Sequence, residues 1–112
     1  MMDRTTKYLN DILIAVDLIE NFTADQKDFD EYQKDLKTQS AVERQLAIVG
    51  EALNNLKKIN PNLNIEHSQK IIFFRNRLVH SYDNIDSTIV WAIIQRHLPQ
   101  LKLEVLNILK KI

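Results

Sequence analysis

Three residues near position 80 carry the chemistry that can be read from side-chain type and spacing. In Arg75-Asn76-Arg77-Leu78-Val79-His80-Ser81-Tyr82 a guanidinium, an imidazole and a phenol follow one another at intervals of five and two. A histidine whose ordinary pKa is about 6.5 can take or give a proton at neutral pH. A guanidinium offers fixed donors to a phosphate oxygen as charge builds on it. In RNA the 2′-hydroxyl is already a nucleophile, so a base and an anion clamp form a minimal set for phosphodiester cleavage. The products would be a 2′,3′-cyclic phosphate and a 5′-hydroxyl. The Arg-x4-His spacing alone is weak, since shuffling five Arg and three His through 112 residues yields one such pair in roughly one chain of eight. Its surroundings have to decide.

The segment from about Ile65 to Val79 reads as a helix, with Ile71, Arg75, Leu78 and Tyr82 on one stripe and Ile72, Asn76 and Val79 on the next. An arginine and an asparagine thus fall on what should be the buried face. Unpartnered burial of both would cost several kcal/mol, so something must satisfy them. His80, four residues after Asn76, is expected within reach of its amide, and its ring beside Arg75. The purely architectural reading pairs Arg75 with Glu51 or Glu43 and makes His80 a helix-end residue. For Tyr82 that reading is an aromatic packed across the helix end. Both readings stay open on periodicity alone.

The rest of the chain supplies helices to carry this segment. Tyr8, Ile12, Ala15, Val16 and Ile19 predict a helix from about Asp3 to Asn21. A short helix with Phe29, Tyr32 and Leu36 follows, capped by Thr23 or Asp25. Thr38 caps a longer one to about Ile59, with Val42, Leu46, Val49, Leu53 and Leu56 stepping by four and three. Gly50, the only glycine, lies inside that helix at a cost of about 1 kcal/mol, for which close approach of another helix is the natural compensation. Asn60-Pro61 ends it. Asp86 opens a fifth helix with Ile85 and Val90 as a hydrophobic staple, and Pro99 interrupts the pattern after His97 before a last helix. The expectation is one domain over residues 1–112, an all-α antiparallel bundle of five or six helices.

Composition closes off most other chemistries. Hydrophobic residues make up 45% and charged residues 27%, as in ordinary globular proteins. The absence of cysteine excludes disulfides and thiolate metal sites. A single glycine excludes Gly-rich phosphate loops and nucleophile elbows. No apolar run approaches a membrane span and the polar start does not read as a signal peptide, so a cytoplasmic protein is expected. Four basic residues stand against nine acidic ones through Leu36, and eleven against six from Lys37, a basic two-thirds that permits a polyanionic partner. His67, His80 and His97 lack ligand spacing, and Asp25, Asp28, Asp30 and Glu31 lack a calcium-loop pattern, so no metal is expected. Trp91 reads as core or subunit seam.

The octapeptide, with its R-x4-H-x-Y pattern, resembles the signature of HEPN-domain proteins and, within them, the HepT toxin family. A second block, Ala41-Val42-Glu43-Arg44-Gln45-Leu46-Ala47-Ile48-Val49-Gly50-Glu51-Ala52, is similar to that family's A-V-E-R-x-L-x-x-x-G-E-A helix. Ile85-Asp86 with Ile89-Val90-Trp91 resembles the segment after the motif. The blocks keep family order across nearly the whole chain. The resemblance implies an all-α homodimer whose Arg–His pairs share a cleft, and a ribonuclease toxin that cuts RNA without metal or cofactor. It implies a nucleotidyltransferase antitoxin that neutralises the toxin by transferring AMP. Carried over by position, Arg75 and His80 are catalytic, Tyr82 is the modified hydroxyl and Asn76 supports. Glu51 and Arg44 match family positions without an assigned role. His67-Ser68 and Phe73-Phe74 depart from the family pattern, which has a Pro-Trp pair and a small residue there, and so bear on packing and the subunit seam. The alternatives are a non-catalytic module that partners a nucleotidyltransferase and binds nucleotide, and a structural dimer whose polar residues fix register.

Overall fold

The computed structural model describes residues 3–80 and 85–112. All regular structure among them is helical: α1 (Arg4–Thr23), α2 (Phe29–Lys34), α3 (Leu36–Ile59), α4 (Gln69–His80), α5 (Ser87–Ala92) and α6 (Leu98–Lys111), with a π turn (Ile93–His97) joining the last two. Helix α3 lies centrally, packed on α1 and on α4, while α6 closes over α1. Leu53, Leu56 and Lys57 share a groove with Ser68 and Gln69, so the end of α3 meets the start of α4 and the two run antiparallel.

Aspartates start four of the helices. The Asp3, Asp28, Asp35 and Asp86 carboxylates accept the N–H of Thr6, Glu31, Thr38 and Thr88, at 2.7, 3.1, 3.0 and 2.9 Å. Each satisfies a donor that the first turn leaves orphaned. Asp28 replaces the expected Thr23 or Asp25, because α1 runs on through Thr23, whose hydroxyl donates back to the Ile19 carbonyl at 2.9 Å. Asp35 replaces Thr38, which instead donates to it through both backbone and hydroxyl.

Two further boundaries differ from the periodic reading. Helix α4 begins at Gln69 and not near Ile65, since the N–H groups of Glu66 and His67 donate to the Glu104 carboxylate on α6 at 2.7 and 3.0 Å. The Ser68 hydroxyl donates to the Ile65 carbonyl at 2.8 Å, which completes a non-helical loop. Pro99 does not stop the chain's helical course. It occupies the first turn of α6, and the preceding π turn has the Leu98 N–H donating to the Ile93 carbonyl. The widened turn takes up the clash and missing donor that proline brings to a regular helix.

The core is aliphatic. Leu9, Ile12, Val16 and Ile19 of α1 meet Val42, Leu46, Val49 and Leu53 of α3, and Ile71 and Phe74 of α4 join the same cluster. The staple holds, with Val90 buried and Ile85 packed against the core. Trp91 lies half-buried with its ring 5.3 Å from that of Tyr32, which is core material. Among the described residues no helix is long and apolar enough to cross a membrane.

Candidate functional site

Arg75 reaches its place because Gly50 lacks a side chain. A Cβ built on Gly50 would overlap the Cβ of Arg75, lie 2.8 Å from its Cγ and come within 3.3 Å of the Ile71 carbonyl. The glycine therefore lets α4 lie against α3 with the arginine stem across the seam, as the sequence suggested. Antiparallel packing then sets Ala47 and Glu43 successively further toward the end of α4 that carries His80.

At this seam the guanidinium forms the ion pair anticipated among the architectural options. Nη2 lies 2.5 Å from Oε2 of Glu51, and Nη1 donates to Oδ1 of Asn76 at 3.0 Å. Nε is buried without a hydrogen-bond partner among the described residues. The Arg75 side chain is still 23% exposed and opens onto a groove of about 330 Å³. Glu43, Arg44, Ala47, Ile48 and Glu51 line its α3 side, with Leu78 and Val79 beside Arg75 on α4. Burial pushes the Glu43 carboxyl up from its ordinary range. The groove thus holds two guanidinia, two carboxylates and several apolar side chains, and it is open to solvent, a lining able to receive an anion at Arg75.

The other motif residues stand apart from that groove. Asn76 lies on the solvent side of α4, not on the buried face, which consists of Ile71 and Phe74 with Leu78 half-buried. Its carbonyl is spent on Arg75 rather than on His80. His80, the last residue of α4, is exposed and has no hydrogen bond or ion pair to Arg75 among the described residues. Five residues turn a helix by about 140° past a full circle, so Arg75 and His80 leave α4 in different directions. Tyr82 lies outside the described residues.

The fold also makes a juxtaposition that sequence spacing hides. The rings of His67 and His97, thirty residues apart in the chain, come to 6.3 Å. Burial chiefly, then the positive charges of Lys70, His67 and Arg96, lower the His97 pKa. Among the described residues no group of three or more His, Asp and Glu side chains is disposed to hold a metal ion.

A small all-helical chain with an arginine laid over a glycine seam and a histidine closing the same helix is consistent with the HEPN-type helical domain that its sequence resembles, and comparison with known proteins supplies the family. Residues 12–108 match the family described as "Ribonuclease HepT-like". The chain belongs to that family. It is 36% identical over 106 residues to "Probable ribonuclease HepT" of Thermococcus cleftensis, covering 90% of this chain and 93% of that one. It is 38% identical over 106 residues to "Putative RNase MJ0127" of Methanocaldococcus jannaschii, covering 94% and 87%. A third relative from the same organism, "Gamma-glutamylcyclotransferase and putative RNase MJ0434", is 31% identical over 106 residues, which span 94% of this chain but only 47% of that protein. No solved structure matches the chain.

Proposed function

We propose that this protein is a toxin ribonuclease that cleaves RNA without metal at a site shared between two copies of the chain, and that a nucleotidyltransferase antitoxin silences it by AMP transfer to Tyr82. The observation that carries the reading is the Arg75 guanidinium, fixed by packing over Gly50 yet open to a groove, on a helix whose last residue is an exposed histidine. The family supplies the reaction class, since its relatives are named as ribonucleases.

In this mechanism His80 takes the proton of a ribose 2′-hydroxyl as its oxygen attacks the adjacent phosphorus. Arg75 donates to the equatorial oxygens of the pentavalent phosphate, where charge accumulates. The bond to the 5′-oxygen breaks, and that oxygen leaves with a proton supplied by an imidazolium. The divergence of Arg75 and His80 on one helix favours a two-fold arrangement in which each phosphate meets the arginine of one copy and the histidine of the other. The single histidine at each phosphate then serves twice, taking the 2′-hydroxyl proton as base and, as the resulting imidazolium, giving a proton to the departing 5′-oxygen. Asn76 supports by holding Nη1 of Arg75. AMP transfer forms a bond from the Tyr82 oxygen to the α-phosphorus of a nucleoside triphosphate and expels pyrophosphate. The added phosphate and bulk, two residues after His80, compete with RNA for the arginine.

Purified protein incubated with single-stranded RNA in EDTA tests this. Cleavage should persist in the chelator and yield 2′,3′-cyclic phosphate ends. Arg75→Ala and His80→Ala should each lower it by roughly 10²-fold or more with the dimer intact by light scattering. Intact mass should show AMP on the protein co-expressed with its nucleotidyltransferase and none on Tyr82→Phe. Cleavage that survives either substitution, or dies in EDTA, overturns the mechanism. RNA left whole by a protein that still binds that partner favours the non-catalytic module.

A further inference from the structure

Arg75 is held at two places by two different means. Its stem is fixed by packing, because Cβ and Cγ lie against the bare backbone of Gly50. Its fork is fixed by polar contacts, Glu51 at Nη2 and Asn76 at Nη1. A guanidinium has five N–H bonds, one on Nε and two on each terminal nitrogen. Nε is buried and Nη1 donates to Asn76, whereas Glu51 faces Nη2 as an ion pair whose buried Oε2 accepts no hydrogen bond among the described residues. The N–H groups of Nη1 and Nη2 not given to Asn76 therefore remain for an occupant of the groove. Glu43, the other carboxylate lining the groove, makes no ion pair with Arg75 among the described residues.

We propose that Glu51 is a positioning residue for RNA cleavage: its carboxylate, paired with Nη2, turns the Arg75 fork so that its free N–H groups meet the scissile phosphate, while its own charge loosens the hold on the RNA ground state. The inference rests on the ribonuclease reading. It follows from a conflict of roles, since a carboxylate beside the only arginine seated over Gly50 repels the phosphate it helps to orient. Orientation matters most in the transition state, whereas the repulsion is felt throughout, so removing Glu51 lowers kcat and KM together. A carboxylate that merely braced α3 to α4 gives no such signature. The Glu51 side chain is 47% exposed and Arg75 23%, although the Glu51 oxygen that faces the guanidinium is buried, so the pair is a partly exposed one with a modest share in stability.

The test measures cleavage of a single-stranded RNA oligonucleotide, binding of its 2′-O-methyl counterpart (which lacks the nucleophile) and thermal melting. Glu51→Gln should lower kcat about tenfold and Glu51→Ala further, with Glu51→Asp recovering part of the loss. Both Glu51→Gln and Glu51→Ala should bind the 2′-O-methyl strand several-fold more tightly, with the salt dependence steeper by about one phosphate contact. Melting should move by no more than a few degrees. Adding Glu51→Ala to Arg75→Ala should slow cleavage no further, because the first acts through the second. Wild-type kcat in Glu51→Ala, or a kcat loss accompanied by weaker binding and a large fall in melting temperature, overturns the inference. If the wild type cleaves and Arg75→Ala does not, the ribonuclease reading stands and these comparisons judge Glu51 alone. If the wild type leaves RNA whole, that reading falls and takes this one with it.

Discussion

Against α1, helix α3 presents Val42, Leu46, Val49 and Leu53, each no more than 2% exposed and interlocked with Leu9, Ile12, Val16 and Ile19. Against α4 it presents Ala47, Gly50 and Glu51, and what it meets there is an arginine stem. The first seam is filled along its centre with branched side chains, as dense aliphatic packing requires, and opens to a small cavity of about 140 Å³ at the edge where Tyr8 and Asp11 face Ile48 and Asn55. The second brings two backbones together over small residues, which leaves a charged side chain to cross between them and a groove beside it. One helix thus packs an aliphatic core on one side and, on the proposed reading, carries the candidate site on the other. The division follows residue volume: large residues where the neighbour is a wall, small ones where it carries a functional group.

Substitutions on the two seams should therefore fail differently. Leu46→Ala removes a fully buried side chain from the aliphatic seam and should cost about 2–5 kcal/mol, with cleavage per folded molecule unchanged. Chemical denaturation paired with activity measured well below the melting transition checks both halves. Gly50→Ala should have a smaller effect on stability and a larger one on activity. The new methyl overlaps the Arg75 Cβ, which cannot swing away as a side-chain tip could, so α4 must shift. Overpacking of this kind costs about 1–3 kcal/mol, partly offset by about 1 kcal/mol of helix propensity gained over glycine. A displaced Arg75 should lower cleavage far beyond what the lost stability explains. Wild-type activity in Gly50→Ala would show that the close seam is packing alone.

The helices that bear on these seams were legible because their apolar residues repeat. The steps of four and three in α3, the lone glycine and the two candidate carboxylates for Arg75 were all readable, and Gly50 and Glu51 lie where that reading needs them. Caps were less so. Asp28 and Asp35 compete with nearby Thr23, Asp25 and Thr38, and the winner depends on where the previous element ends, a tertiary fact. The start of α4 was hidden because Glu104, thirty-eight residues beyond Glu66, captures the N–H groups of the loop. The π turn before Pro99 was hidden because one extra residue in a turn leaves no mark on a 3.6-residue period. Asn76 was placed too deep for a related reason. Its stripe borders the core, and the wheel does not say which edge of an amphipathic face is wet.

Finer effects separate the ends of α3. Asp35 starts the helix, and the hydrogen bonds from the Thr38 hydroxyl and backbone hold its carboxyl below the ordinary carboxylate range. A folded-state value below the unfolded one contributes stability that is present above the unfolded value and lost as pH falls through the folded one. Asp35→Ala should therefore lower the melting temperature by a few degrees at pH 7, and the deficit should shrink on acidification below about pH 4. An equal deficit at pH 7 and pH 3 would mean that the cap acts through shape and not charge.

The smallest expected effect has the opposite sign and belongs to the groove. Burial raises the Glu43 carboxyl's pKa, so the folded protein holds that proton more tightly than the unfolded chain does. Ionising Glu43 then weighs against the fold at every pH above its folded value, and the penalty disappears below the ordinary carboxylate range, where both states are protonated. Glu43→Gln keeps the shape and removes the charge. It should raise the melting temperature slightly at pH 7 and leave it unchanged at about pH 3, where both states are protonated. The negative charge of Glu43 also contributes, after burial, to the raised pKa of the Tyr32 phenol, whose hydroxyl is buried without a hydrogen-bond partner among the described residues. Tyrosinate absorbance should then emerge at lower pH in Glu43→Gln than in the wild type, with burial still keeping it above an ordinary phenol. A Glu43→Gln variant no more stable than wild type at neutral pH would show that burying this carboxylate costs the fold nothing.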